Sequence, residues 1–249
     1  MKNILITGAD GFLGKNLIEK LVKLDDVNIM HHSLGTSNLL LEKNLKECDF
    51  LFHFAAVHRP KDNEDFYKVN DDFFGYILKT LENSGNKCPV VLTSSIQATD
   101  NNDYGRSKII AENMLKEFSD KNGNKAIIYR LLNVFGKWAT PNHHSVVATF
   151  CHNINRDLPI IISNRNILMN FYYVDDVIES FLSQIKGVAV PDADGIYRLD
   201  ESKIYHITLG ELADKFFYFR DCQKKGVKPD ITSDIDNKLY VTYLSYEEN

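Results

Sequence analysis

Eight residues near the start, Thr7-Gly8-Ala9-Asp10-Gly11-Phe12-Leu13-Gly14, constrain this chain most. Before them, Asn3-Ile4-Leu5-Ile6 is a short apolar run that reads as a buried strand. After them, Leu13, Leu17, Leu21 and Leu24 recur every third or fourth residue, the period of a helix. Strand, glycine turn and helix form the context in which a glycine fingerprint carries meaning. The spacing here is G-x-x-G-x-x-G. Gly8 permits the tight turn, Gly11 lets a pyrophosphate approach the backbone, and Gly14 lets the helix pack close to the strand. The free N–H groups at the helix start then face the phosphates. A plain glycine turn is the competing reading. Its place directly after the first strand favours a dinucleotide.

The 249 residues suit one large domain or two small lobes, and 44% hydrophobic residues suffice for a sizeable core. A net charge of −5 leaves no electrostatic footprint for nucleic acid or membrane. No apolar run approaches the roughly 20 residues that span a bilayer. Met1-Lys2-Asn3 leads straight into a strand, so no signal peptide and a cytoplasmic protein are expected. Cys48, Cys88, Cys151 and Cys222 make no C-x-x-C pair and read as reduced thiols. The pairs His31-His32 and His143-His144 lack ligand spacing with other donors, and no metal site is expected.

Val27-Asn28-Ile29-Met30 is the second strand, ending in His31-His32-Ser33. An acid at this point usually holds a ribose 2′-hydroxyl, and a 2′-phosphate would reject it. No acid occurs before Glu42, which leans toward NADP over NAD, although no Arg or Lys stands nearby either. His32 is counted among the cofactor-binding residues. A short amphipathic helix follows from Asn38 to Lys46. Phe50 to Ala56 is another buried strand, whose small end, Ala55-Ala56, suits a cofactor lying across it; ordinary close packing explains it as well. In the loop Val57-His58-Arg59-Pro60, Arg59 either meets a phosphate or faces water. Asn63 to Leu81 reads as a long helix.

Pro89 to Ser95 is a strand ending in hydroxyls. Nine residues later comes Tyr104-Gly105-Arg106-Ser107-Lys108, opening a helical pattern. Tyr104 and Lys108 therefore lie one turn apart on one face. A nearby ammonium favours the phenolate and lowers a tyrosine pKa from about 10. Such a tyrosine can exchange a proton with a carbonyl oxygen near neutral pH.

Together, Thr7–Gly14, His53-Phe54-Ala55-Ala56, Ser95, Tyr104/Lys108, Asn133-Val134-Phe135-Gly136 and Tyr172-Tyr173-Val174-Asp175-Asp176-Val177 resemble the extended short-chain dehydrogenase/reductases, which mostly act on nucleotide sugars. Ser94–Thr99, Phe135-Gly136-Lys137-Trp138, Ser145–Cys151 and Thr242–Tyr246 further resemble the reductase domains of capsule-synthesis enzymes. In those enzymes a cupin domain follows; this chain stops where the linker would begin, so either the cupin was removed or this protein lacks it. The resemblance implies roles for individual residues. Ser95 would bond the sugar carbonyl. Tyr104 would donate the proton. Lys108 would hold the nicotinamide ribose and depress the Tyr104 pKa. Gly8, Gly11, Phe12, Leu13 and Gly14 would hold the pyrophosphate, and Phe54, Ala55 and Ala56 would line the cofactor. Asn133 would sit at the nucleotide-sugar site, with Arg59 counted among the substrate-binding residues. A homodimer is implied through the helices starting near Asn63 and Tyr104.

The remainder is less distinctive. Asn142 to Arg156 reads as a helix and Pro159 to Ile162 as a strand. Asp175 and Asp176 open a helix to Lys186, where acids suit the N-terminal dipole. Lys203 to Ile207 reads as a strand, followed by a capping box, Thr208-Leu209-Gly210-Glu211. Phe216-Phe217-Tyr218-Phe219 suggests a buried or intersubunit helix. Leu239-Tyr240-Val241 packs on the body or awaits a partner domain.

The expected architecture is α/β: a Rossmann-type, doubly wound parallel sheet from residues 1–136 plus 171–190, and a smaller substrate-binding lobe from 137–170 plus 191–249. The resemblance implies an NADPH-dependent reductase acting on the 4-keto group of a UDP-linked 2-acetamido-2,6-dideoxy-hexose. An NAD-dependent 4-epimerase and a non-catalytic NADP-binding protein are the alternatives. A dehydratase would carry Asp-Glu after the active-site hydroxyl, where this chain has Ile96-Gln97.

Overall fold

The computed structural model describes residues 1–55 and 63–247, the side chains of 63–71 excepted. The readings of Ala56 and of the Val57–Pro60 loop, Arg59 included, lie outside the described residues. The chain divides into two compact units, Met1–Leu131 with Leu182–Arg198, and Leu132–Phe181 with Leu199–Asn249.

The first unit alternates strand and helix: β1 (Lys2–Thr7), α1 (Phe12–Leu21), β2 (Val27–His32), α2 (Asn38–Glu47), β3 (Phe50–His53), α3 (Asn63–Ser84), β4 (Val90–Ser95), α4 (Asp103–Asn122) and β5 (Ala126–Leu131). The strands form one parallel sheet in the order β2-β1-β3-β4-β5. Helices on both faces explain why its strands are continuous apolar runs: Ile4, Leu5, Ile6, Leu51, Phe52, Val90, Val91, Ile127 and Ile128 are all buried. Leu41, Leu45, Phe74, Ile77, Leu81 and Leu115 bring α2, α3 and α4 onto one face. At the β5 edge, the Tyr197 N–H donates to the Ile128 carbonyl (2.8 Å), and Gln184 donates to the Tyr129 hydroxyl (2.8 Å). The chain steps outward from β1 to β2, then returns to the other side of β1 with β3. This reversal lies between the carboxyl ends of β1 and β3, where such sheets open a crevice.

The second unit holds β6 (Asn133–Phe135), α5 (Val146–Asn155), β7 (Leu168–Tyr173), α6 (Val174–Ile185, whose end belongs to the first unit), β8 (Tyr205–Thr208), α7 (Leu209–Lys224) and α8 (Asp234–Leu244). β6 runs parallel to β7, and β8 antiparallel to it. Phe135, Phe150, Phe171, Phe216, Phe219 and Tyr243 fill its core. Phe216 and Phe219 thus point into their own unit, and Leu239 packs there too. The Thr208/Glu211 capping box opens α7.

Several boundaries differ from the sequence reading. Residues 132–136 and 171–181 belong to the second unit, and 191–198 to the first. β3 ends at His53, so Phe54 and Ala55 lie beyond it. Pro159–Ile162 is not a strand: Ile160 and Ile162 pack on the core and Ile161 is 93% exposed, but Pro159 has no N–H and, among the described residues, no strand pairs with the segment. The alternation came from one-sided burial alone.

Candidate active site

The glycine turn sits at the sheet's reversal. Gly8 has φ +70°, and a Cβ there would lie 2.7 Å from the Ala55 nitrogen and 2.8 Å from the Phe54 carbonyl carbon. The turn is therefore pressed against the chain leaving β3. A Cβ on Gly14 would meet the Gly8 oxygen at 2.5 Å and the Ala9 oxygen at 2.6 Å. The close approach of α1 to the turn thus requires a hydrogen at both positions. Gly8 also donates its N–H to the His32 carbonyl (2.9 Å), which brings the end of β2 to the same corner. α1 begins at Phe12 and Leu13 behind Gly11, with no side-chain cap and no acid in its first turn. Its first N–H groups and positive dipole end are left for an outside anion. A glycine cradle, an uncapped helix start and the small Ala55 fit a dinucleotide, with Gly8, Gly11, Phe12, Leu13, Gly14, His32, Phe54 and Ala55 as the residues to hold it.

The second corner lies at the end of β4. Successive strand residues point to opposite faces, and the two hydroxyls divide their work accordingly. Ser94 donates to Glu112 (2.6 Å) on one side. Ser95 accepts from the Gln97 N–H (3.1 Å), capping a 3-10 turn at Ile96–Thr99, and its hydroxyl also hydrogen-bonds the Tyr104 phenol. Asn102 caps α4 by accepting from the Gly105 N–H (2.7 Å). Gly105 lies against the Gln97 and Asp100 carbonyls with no room for a Cβ. This clamp brings Tyr104 to Ser95. One turn on, the Lys108 ammonium lies 5.6 Å from the Tyr104 ring centroid and donates to the Thr93 carbonyl (3.3 Å). Below it, the fully buried Glu112 is held in a bidentate pair by Arg130 (2.8 and 2.7 Å).

Burial lowers the Lys108 pKa to about 8, and Glu112 opposes that shift. The Tyr104 pKa moves opposite to the sequence expectation. Desolvation raises it, and only the Ser95 hydrogen bond pulls it down. The ammonium lies over the Tyr104 ring, 5.6 Å from its centroid, and does not overcome the cost of burying a phenolate.

Sequence reasoning assigned no role to His53 or Thr7. His53 ends β3, stacks on Phe74 (centroids 4.5 Å apart) and pairs its Nδ1 with the Thr7 hydroxyl (2.8 Å). Burial, then the Lys108 charge, push its pKa down to about 3, so the ring is neutral. His53, Ala55, Thr93 and Lys108 line a cavity of ≈ 20 Å³, space for about one water, which joins the two corners. The one available signal was a histidine in an otherwise apolar run. Asn133 lies in the second unit, its amide donating to the Asn170 carbonyl (3.4 Å).

The family model for the NAD dependent epimerase/dehydratase family matches residues 4–198, and the chain belongs to that family. Over 243 residues it is 37% identical to a UDP-2-acetamido-2,6-beta-L-arabino-hexul-4-ose reductase of Pseudomonas aeruginosa, an alignment covering 98% of this chain and 64% of that relative. The crystal structure of the capsular polysaccharide assembling protein CapF from Staphylococcus aureus superposes with a TM-score of 0.88 at 37% identity, covering 98% of this chain and 65% of that one. The chain thus spans under two thirds of the length of these relatives. The Thermus thermophilus UDP-glucose 4-epimerase in complex with NAD, at 17% identity and TM-score 0.74, shares the fold; the match covers 98% of each chain.

Proposed function

We infer that this chain is an NADPH-dependent reductase of the C4 keto group of a UDP-linked 2-acetamido-2,6-dideoxy-4-keto-hexose. The observation that carries this reading is the Ser95–Tyr104 hydrogen bond with Lys108 on the same helix face. The similarity to a reductase of such a sugar, across 98% of the chain, supports it.

The bound dinucleotide would supply the hydride. Ser95 donates a hydrogen bond to the keto oxygen and polarises it. Tyr104 gives its proton to that oxygen as negative charge develops there. Its raised pKa keeps the phenol protonated near neutral pH, the state a donor needs. Lys108, still largely charged at neutral pH, stabilises the phenolate left behind and holds the cofactor ribose.

The end of β2 supports NADPH. No carboxylate occurs from His32 to Leu41. His32 Nδ1 and the Ser33 hydroxyl are buried without a partner, and Ser37 makes no capping bond at the start of α2. These polar groups suit a further anionic group and would suit an acid-bound 2′-hydroxyl less. The reading carries with it homodimerisation through α3 and α4, a place in capsular or surface polysaccharide synthesis, and a cytoplasmic setting. Among the described residues no helix is long and apolar enough to cross a membrane.

The test is loss of reduced-nicotinamide absorbance when the protein meets a freshly generated UDP-4-keto-6-deoxy-acetamido-hexose with NADPH or NADH. Consumption with NADPH is expected. Consumption with NADH alone would reverse the cofactor reading. Failure with both, in protein that binds cofactor, would turn the assignment toward an epimerase.

A further inference from the structure

We propose that Glu112 is a positioning residue for the Tyr104–Lys108 pair: its buried carboxylate, fixed from β4 and β5, keeps the Lys108 ammonium charged; this rests on the reductase reading above. Three consecutive residues of β4 hold three residues of α4 that are spaced four apart. The Ser95 hydroxyl bonds the Tyr104 phenol, the Thr93 carbonyl accepts from Lys108 (3.3 Å), and Ser94 donates to Glu112 (2.6 Å). Side chains at this spacing are neighbours on successive turns of one helix face. The proposed chemistry uses the first two of these contacts and gives the third no task.

That third contact is the most firmly fixed. Glu112 is fully buried. Arg130 stands opposite Ser94 in the β4–β5 register, and its guanidinium donates to both carboxylate oxygens (2.8 and 2.7 Å). Oε1 thus takes bonds from two strands at once. Stability alone does not account for the arrangement, because well-packed apolar residues often replace a buried ion pair at no loss. Its place on the helix does account for it. A fixed negative charge one turn from a buried ammonium offsets what that ammonium loses on leaving water.

The other groups facing Lys108 leave this work to Glu112. On β3, His53 is a neutral ring, and α3 presents the apolar Phe74 to the same cavity. On α4, Tyr104 is a protonated phenol. Lys116, one turn past Glu112, lies 4.0 Å from the carboxylate and is 44% exposed, so solvent screens it. Arg130 meets the carboxylate from β5. Burial draws the Lys108 pKa down to about 8, and Glu112 is the charge that works against this.

The test reads Lys108 directly. Protein carrying lysine labelled with carbon-13 at Cε is titrated by NMR, and Lys108→Met identifies the Lys108 signal by its loss. Glu112→Gln keeps the shape and still accepts from Ser94, but the negative charge is gone. The Lys108 midpoint should fall by about one pH unit. Arg130→Lys keeps both charges of the pair and loses the fork. It should lower stability to denaturant and leave the Lys108 midpoint in place. A midpoint unmoved in Glu112→Gln, or displaced equally in both variants, would overturn the proposal. If Glu112→Gln does not fold, the double variant Glu112→Gln/Arg130→Met replaces the ion pair with neutral groups, and the same midpoint decides. Turnover with NADPH in Glu112→Gln should be about fivefold low at pH 8 and nearly normal at pH 6, where Lys108 is charged in both proteins. A deficit equal at both pH values would leave Glu112 a structural role only and overturn the proposal. A displaced midpoint in a protein that reduces no keto sugar would overturn the reductase reading, while the hold of Glu112 on Lys108 stands.

Discussion

The two units bend their backbones by different means. Among the described residues of the first, every residue with a left-handed φ is a glycine, Gly8 among them. In the second, Trp138 (φ 69°), Asn142 (φ 55°) and Asp157 (φ 52°) hold such angles without being glycine. A glycine adopts its turn from local freedom alone. A tryptophan or aspartate needs partners from elsewhere: Tyr246 ties down the Trp138 loop, and Lys224 and Arg220 reach Asp157. The polar interior differs in the same way. The first unit buries the Glu112–Arg130 pair beneath the Tyr104–Lys108 corner, whereas the second sets Lys238 among Asp176, Tyr205 and Asp234 near its surface. The first unit thus carries its geometry in local sequence, and the second assembles it from contacts distant along the chain.

The largest effect should come where the first unit's geometry serves chemistry. Tyr104→Phe removes the proposed proton donor and keeps the ring and its packing. Turnover of the keto sugar should fall by roughly 10²–10⁴ with cofactor affinity almost unchanged. Steady-state rates beside a cofactor titration would show it, and a variant with normal turnover would remove Tyr104 from its role.

Next comes the support beneath that corner. Glu112→Ala leaves the Arg130 guanidinium, only 14% exposed, without its partner and strands the Ser94 hydroxyl. Breaking a buried pair in this way costs about 3–5 kcal/mol. Denaturant unfolding of the variant measures it, and a loss under 1 kcal/mol would show that the first unit does not depend on its internal ion pair. Gly14→Ala should follow at about 1–3 kcal/mol, because its methyl meets backbone oxygens that cannot rotate away. Cofactor affinity should fall with it, since the helix start must move off the turn.

These positions show what was legible. The glycine spacing, the apolar strands and the Tyr104–Lys108 interval are local patterns, and they located the parallel sheet and both corners. The Tyr104 pKa ran against expectation because desolvation depends on what covers the phenol, which spacing does not encode. Pro159–Ile162 misled because alternation records one-sided burial, with or without a partner strand. His53 went unassigned because its partners, Thr7 and Phe74, come from other elements. The split of α6 between units had no signal in a continuous helical pattern.

His53 offers a finer test of the first unit. Its folded pKa is about 3, against about 6.5 when unfolded. Between those values the unfolded chain takes up a proton that the folded chain refuses. Stability therefore declines as pH falls from about 6.5 toward 3, and above 6.5 the group contributes no slope. His53→Gln should flatten this part of the stability–pH curve. The difference between the two proteins' unfolding free energies, measured across that window, isolates the effect; parallel curves would mean the ring protonates in the folded state.

The smallest effect tests the second unit directly. If its left-handed residues are held by partners, restoring glycine at one of them gains little. At Asn142 the held group is the backbone N–H, donating to Thr149, and glycine keeps it. Asparagine already tolerates φ near +55°, so little strain remains to relieve. Glycine also frees the unfolded chain, which offsets part of any gain. Asn142→Gly should therefore shift stability by no more than about 0.5 kcal/mol, with Trp138 emission unchanged. A stabilisation well above that would mean the backbone is strained here and that local conformation does decide this loop. A loss above 1 kcal/mol would instead show that the amide side chain, 3.5 Å from Asn153, takes part in holding the loop in place.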